Sequence, residues 1–322
     1  MIRNQMRWVG ACVLSMASMA GIAQSYPVKP VRIIVPAGPG GPDTVARIAS
    51  VNYSKQLGQT FFVENHGGAN GIVGADMVAK AAPDGYTLMV YSSGFIINQF
   101  VNKKLPYDTA NDFAPITKLI DNVGVFITVH PSVPVNSVKE FIAYARNPAN
   151  KLAYSTPGIG NTMHIATELF NAKYGTQMVH VPYKGGGLAA SAAVAGEVQV
   201  MFNSPSNVVQ FARSGKLRVL AFSGLKRSEA LPNVPTSVEA GVPDFDTSEW
   251  YGVFAPSGLP RPVLDKLAGE VARIVKLPDV AEKFAAQGAI SVGSNADEFT
   301  RFVKAEMNLW GNLARKIGLK PD

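Results

Sequence analysis

The chain has 322 residues, 30 Lys and Arg against 23 Asp and Glu, and a single cysteine. That length supports two domains with sizeable cores, and one cysteine excludes an intrachain disulfide. The formal charge of +7 comes from scattered bases with no run of five, which gives no support to a nucleic-acid or membrane-surface binder; a mild positive excess suits an acidic solute.

Residues 1–25 read as an export signal. Arg3 and Arg7 give a basic start, 8–23 is uncharged and apolar, and Gly21-Ile22-Ala23 is a small-x-small cleavage site, with Ala23-Gln24-Ser25 as an alternative. The run is too short and too dotted with Ser and Gly for a membrane span. Val9-Gly10-Ala11-Cys12 has the form of a lipoprotein box. Only four uncharged residues separate Arg7 from Cys12, however, and the apolar run continues past it, which argues against lipidation. Cleavage would leave about 297 residues, no cysteine and a charge of +5, because Arg3 and Arg7 leave with the signal.

The stretch 31–47, VRIIVPAGPGGPDTVAR, is the first with a chemical message. Its β-branched start predicts a buried strand. Pro36 to Pro42 then mixes proline and glycine in a way that neither helix nor sheet interior accepts. Asp43 is a candidate N-cap for a helix whose face would be Val45, Ile48, Ala49 and Tyr53. A strand, a glycine turn and a helix start present unpaired N–H groups and partial positive charge, which suits an anion. A plain β–α connection without ligand fits the same residues. No Gly-Lys-Ser/Thr follows, so this is not a P-loop.

The same grammar recurs along the chain. Strands at 61–63, 86–91, 125–129, 152–155, 178–181, 198–202 and 217–222 are predicted. Most lead into Gly/Ser/Asn-rich loops, among them ENHGGANGIVG, SSG, TPGIGNT, PYKGGG and NSPSN. Ser137 and Glu140 form a capping box. Strands alternating with helices predict mainly parallel, open sheets, with ligands beyond the strand C-termini. Val35-Pro36 and Val181-Pro182 each end a strand and open a glycine loop, in different halves of the chain, so the two loops could face each other across a cleft. Residues 223–246 read as a surface connection and 250–255 as a strand. Helices are predicted at 262–276, 279–287 and 295–317, the last capped by Asn295.

Other chemistries find little support. The spacing at 68–74 is GxxGxxG, not the dinucleotide GxGxxG, and reads as a turn packed on a helix. His164 and Glu168 share a helix face but lack a second pair for a metal; His164 fits better near a ligand or bonded to the loop before it. There is no Gly-x-Ser-x-Gly elbow and no HExxH. Ser93 and Ser155, at strand ends, suit hydroxyl donation to a carboxylate. Lys184 suits an anion or solvent equally, and Trp250 suits the core better than a ligand stack.

Taken together, YPVKPVRIIVPAGPGG, VENHGGANGIVGADMVAKAAPDGYTL, LPYD, VPYKGGG, GEVQVMF, SGKLRVLA, LPNVPTSVEAGVPDF and EWYGVFAPSGLP resemble the tripartite tricarboxylate transporter substrate-binding proteins, the Bug family of periplasmic receptors. The resemblance implies an α/β, two-lobed Venus-flytrap fold with a hinge. Lobe 1 would be 26–126 plus 246–322, and lobe 2 would be 127–245, with crossings near 125–130 and 246–255. It implies a periplasmic monomer, without cofactor or metal, that captures a small carboxylate and passes it to membrane transporter subunits. Carried over, the ligand-binding positions are Ala37, Pro39, Gly40, Gly41 and Asp43, then Ser93 and Gly94 from the first lobe. From the second they are Ser155, Thr156, Gly158, Asn161, Thr162 and His164, then Lys184, Gly185, Gly186 and Asn203. Relative to the family, the first loop is one residue shorter and carries a small Ala37 where an aromatic is common. Asn203 replaces a frequent Asp, so the expected cleft lacks that negative charge and better tolerates a ligand with a second anionic group, or one with no ammonium to pair. The rival expectations are a periplasmic enzyme working through Ser155 or His164, and a ligand sensor feeding a signalling partner.

Overall fold

The computed structural model describes residues 26–122, 124–224, 226–243, 245, 249–286 and 289–316. The expected export signal with its cleavage sites, Cys12 and the expected start of the second crossing at Asp246 lie outside the described residues.

The first sheet holds β1 (Val31–Val35), β2 (Phe61–Asn65), β3 (Thr87–Tyr91), β4 (Phe113–Asn122), β10 (Glu249–Pro256) and β11 (Ala289–Ser291), in the order β11-β4-β10-β3-β1-β2. The second holds β5 (Phe126–Val129), β6 (Ala153–Thr156), β7 (Val179–Pro182), β8 (Val200–Asn203) and β9 (Arg218–Phe222), in the order β7-β6-β8-β5-β9. The helices are α1 (Gly41–Leu57), α2 (Ile72–Ala79), α3 (Gly94–Val101), α4 (Val138–Ala145), α5 (Thr162–Tyr174), α6 (Gly186–Ala195), α7 (Pro205–Arg213), α8 (Arg261–Ile274), α9 (Pro278–Ala286) and α10 (Ala296–Lys316).

The two-lobed α/β architecture is present, but the sheets are mixed rather than mainly parallel. β1 runs parallel to β2 and β3, while β10 runs antiparallel to β3 and β4. In the second sheet β6 is parallel to β7 and β8, and β5 is antiparallel to β8 and β9. The cause lies in the chain's path. Strands of the β–α units leave their sheet at the cleft. β5 and β10 each begin just after the chain has come over from the other sheet, so they start at the cleft and run the opposite way. This geometry puts Glu249, the first residue of β10, at the cleft.

Helix starts decide what faces the ligand space. α1 begins at Gly41, with Gly40 as its cap and Pro42 in the first turn, so Asp43 is not the N-cap. A proline fits there because its missing N–H would have had no intrahelical partner. Asp43 is instead the third residue of the first turn and pairs with Arg47, Oδ1 to Nη2 at 2.9 Å. Val45, Ala49 and Tyr53 bury against the sheet with Ile48 partly covered, as the periodicity requires. At α4, Ser137 Oγ accepts the Glu140 N–H at 3.1 Å, and Glu140 returns a bond to the Asn136 N–H. At α10, Asn295 and Glu298 cap each other reciprocally at 2.9 and 3.0 Å. Trp250 is core: it is buried between β10 and α10, packs edge-on against Phe299 and Phe302, and donates its indole N–H to Glu306.

Candidate functional site

A cavity of about 420 Å³ lies where the loops of the two sheets converge. Its walls include the glycine loop before α1, the 67–71 turn, the 157–161 loop, the 182–186 loop and the start of β10. Helices α1, α3, α5, α6 and α7 all begin in loops at this end of their sheets, so several positive helix ends converge there. Of these only α5 is capped by a side chain, that of Asn161; α3 and α7 begin at serines that make no capping bond. α1 and α6 begin at glycine caps, with no side chain accepting their first N–H groups. Gly40 has φ 154° and Gly185 φ 133°, both in the region that glycine alone enters readily. These two starts, one per lobe, offer backbone donors to an acceptor of the ligand.

The two loops meet, as the paired Val-Pro-glycine pattern anticipates. Gly187 N–H donates to the Pro39 carbonyl at 3.2 Å across the lobes. Absence of side chains makes this possible: a Cβ on Gly38 would lie 2.4 Å from Lys184 O, and one on Gly187 2.7 Å from Pro39 O. A second bridge joins Ser93 Oγ to Thr162 Oγ1 at 2.7 Å, both residues buried.

Of the positions carried over from the family, Ala37, Gly41, Gly158, Asn161, Lys184, Gly185, Gly186 and Asn203 line the cavity. Lys184 does so while staying exposed to solvent. Pro39, Gly40, Asp43, Ser93, Gly94, Ser155, Thr156, Thr162 and His164 are not among its lining residues. They lie one layer behind or in the lobe-to-lobe contact. Ser155 donates to the Ala189 carbonyl at 2.9 Å, and Thr156 Oγ1 is 2.6 Å from His180 Nε2. His164 Nδ1 accepts the Gly160 N–H at 3.1 Å, which is the bond to the preceding loop weighed from sequence.

His164 belongs to a stack. Its ring lies 4.0 Å from that of His180, which lies 5.0 Å from Tyr154, whose hydroxyl bonds to Glu168. Burial pushes the His180 imidazole down to about 4, helped by the neighbouring His164. Burial also lowers His164, against the opposing pull of Glu168. Both rings are therefore neutral near pH 7 and brace the 156–160 loop through Thr156 and Gly160. Among the described residues no group of His, Cys, Asp and Glu could hold a metal.

Asn203 is occupied by its surroundings. Its Oδ1 accepts from Ser204 N–H at 2.8 Å and Asn207 Nδ2 at 3.0 Å, and its Nδ2 donates to Gly186 O at 3.2 Å. The side chain fixes the α6 start from behind. Asn203 leaves its position without charge, while Glu249, a residue outside the sequence-based expectations, also lines the cavity. Tyr91, Asn70 and Tyr251 were also passed over. Asn70 has a positive φ of 49°, and its carbonyl accepts from Tyr91 OH at 3.1 Å and from Asn98 Nδ2 at 3.0 Å. An Asn between glycines after a strand is a signal for such a position.

The sequence matches the family described as tripartite tricarboxylate transporter family receptor over residues 45–319. It is 33% identical to BugT of Bordetella pertussis over 301 residues, covering 92% of each chain. The fold is similar to a structure from R. palustris solved with adipate, with TM-score 0.87, 32% identity, and 92% and 100% of the two chains covered. It is also similar to MatC from Rhodopseudomonas palustris with bound malate, with TM-score 0.84, 32% identity, and 90% and 100% covered.

Proposed function

Because the chain belongs to the tripartite tricarboxylate transporter receptor family, we propose that it is a solute-binding receptor that captures a small carboxylate between its lobes, works in the periplasm and delivers its solute to a membrane transporter. The observation that carries this reading is the pair of glycine-capped helix starts, α1 and α6, offered from opposite lobes to one cavity. Such donors stabilise an anion without a cationic side chain. The relatives solved with malate and adipate hold carboxylates, which fits.

The lobes of the proposal are 26–126 with 246–322, and 127–245, acting as a monomer. A ligand favours the approach of two lobes only through contacts that it makes with both. A receptor role without catalysis is supported by the engagement of Ser155 and His164 with Ala189 and Gly160 rather than with each other.

A thermal-shift screen of the chain lacking residues 1–25 against a carboxylate library tests the reading. A true ligand at a hundred times its Kd adds about 2.7 kcal/mol of stability, and the compound is recovered unchanged after denaturation. Failure of every carboxylate to shift the melt refutes the receptor reading. Recovery of an altered compound favours an enzyme.

A further inference from the structure

The cavity has two kinds of wall. One is formed by the glycine loops and the α1 and α6 starts. Lys184, the only basic side chain lining the cavity among the described residues, belongs to this wall, in the loop that touches Gly38. Glu249 supplies no positive charge in either protonation state. The other wall is formed by Val101 at the end of α3, by the 157–161 loop and by Met163. That loop packs across the lobes: a Cβ on Gly160 would lie 2.7 Å from Val101 Cγ2, and one on Gly158 3.7 Å from Asn70 Cα. Between these glycines, at φ 153° and 75°, stands Ile159, which lines the cavity and is 61% exposed.

Polar groups beside the second wall are largely engaged. The first turn of α3 closes on Ser92 and Ser93, whose carbonyls accept the N–H groups of Phe95 at 3.1 Å and Ile96 at 2.9 Å. At α5 the Asn161 side chain accepts the Met163 N–H at 2.9 Å. Asn70 gives its amide hydrogens to Asn98 Oδ1 at 2.9 Å and Gly94 O at 3.5 Å. The spare amide hydrogens of Asn102 and Asn161 are neutral donors. An anion set against this wall would lose its hydration and meet no cation, whereas a hydrocarbon group there would cover Ile159 and gain.

Resting on the carboxylate-receptor reading, we propose that the solute is a monocarboxylate with an uncharged, largely apolar body. The backbone amides of α1 and α6 take its carboxylate, and Ile159, Val101 and Met163, drawn from both lobes, take the body. Most of the cavity wall is carbon, as such a solute requires.

The test is calorimetric titration with four-, six- and eight-carbon straight-chain acids, each as the monocarboxylate and the α,ω-dicarboxylate. In the length that binds best, the monocarboxylate binds at least about tenfold more tightly than its dicarboxylate partner. From four to six carbons the monocarboxylates gain about three- to fourfold per added CH₂. Ile159→Ser costs the six-carbon monocarboxylate about tenfold and the four-carbon one less, and Ile159→Lys, which supplies the missing cation, narrows the gap to the dicarboxylate. A dicarboxylate that binds wild type as tightly as its monocarboxylate partner overturns the inference and leaves the receptor reading intact. Equal affinities of wild type and Ile159→Ser for every acid overturn the placement of the body at Ile159. Absence of binding in every set sinks the receptor reading, and this inference with it. Ile159 is exposed, so its variants should melt as wild type does, and the wild-type ranking stands as a test without them.

Discussion

Replacing Gly38 by alanine tests whether the two glycine loops must touch for the cleft to work. The added Cβ would lie 2.4 Å from the Lys184 carbonyl oxygen, whereas ordinary contact begins at 3.4 Å, so the overlap is about 1 Å. Neither atom sits on a flexible side chain, so local rearrangement cannot absorb it. Gly38 does not lie in the left-handed region, so alanine suits the loop itself. The colliding groups belong to opposite lobes, and moving the lobes apart removes the clash along with the Gly187–Pro39 bond. Overpacking on this scale costs about 1–3 kcal/mol, a loss of roughly 5- to 150-fold in affinity. Calorimetry with the best carboxylate should show that loss, and small-angle scattering at saturating ligand should show a wider molecule. The ligand-free melting temperature should stay at the wild-type value. Wild-type affinity in the Gly38→Ala protein, or an equal drop in ligand-free stability, would refute the idea that these loops meet only when the lobes approach.

Gly41→Val makes the contrasting case. Its Cβ would fall 2.3 Å from Tyr251 OH within the first lobe, so melting without ligand should drop as well as binding; an unchanged melt contradicts the packing of α1 on β10. Ser93→Ala leaves Thr162 without its buried partner, at a cost of about 1–3 kcal/mol in ligand affinity. Adding Thr162→Val should recover part of that loss, whereas simple additivity in the double-mutant cycle removes the bridge from the account. The histidine stack sets a pH dependence. His180 is held near 4 and His164 is lowered, while both sit near 6.5 when unfolded. The unfolded chain therefore binds protons first as the pH falls. The stack's contribution is complete above pH 6.5 and is lost as the pH falls from there towards 4. Subtracting the melting profile of His180→Phe, which keeps a ring in the stack, should isolate this fall; superimposable profiles rule it out.

Much of the fold was legible because its units are repetitive. Most strands, glycine loops and helix starts announce themselves within a dozen residues. What escaped were elements whose local signal is overruled by their neighbours. β4 reads poorly as a strand because it carries Pro115 and Lys118. Pro115 is tolerated because β11 pairs only with residues 120–122, and the pairing with β10 shifts register beside it. Lys118 is nearly covered, with its Nζ 2.5 Å from Asp121 and 3.8 Å from the centre of the Phe302 ring. α3 and α7 follow short Ser/Asn/Gly-rich loops, and their first turns read as more of the same loop. The mixed strand directions follow from where the chain crosses between sheets, which no local pattern encodes.

The site divides along the same line. Glycine loops are local, and they mark where an anion can approach backbone amides. Hydroxyls at strand ends look equally available in sequence, yet Ser155, Thr156, Ser93 and Thr162 each meet another group of the fold first. Glu249, which lines the cavity, lies far along the chain from every glycine loop and reaches the cavity because β10 starts there. Backbone amides bind carboxylates with little regard for what else the molecule carries. Discrimination then falls to the side chains that line the cavity around those loops, Asn70, Tyr91, Asn161, Glu249 and Tyr251 among them. A receptor on this plan can keep its loops, and with them its carboxylate chemistry, while changing its solute through the side chains around them.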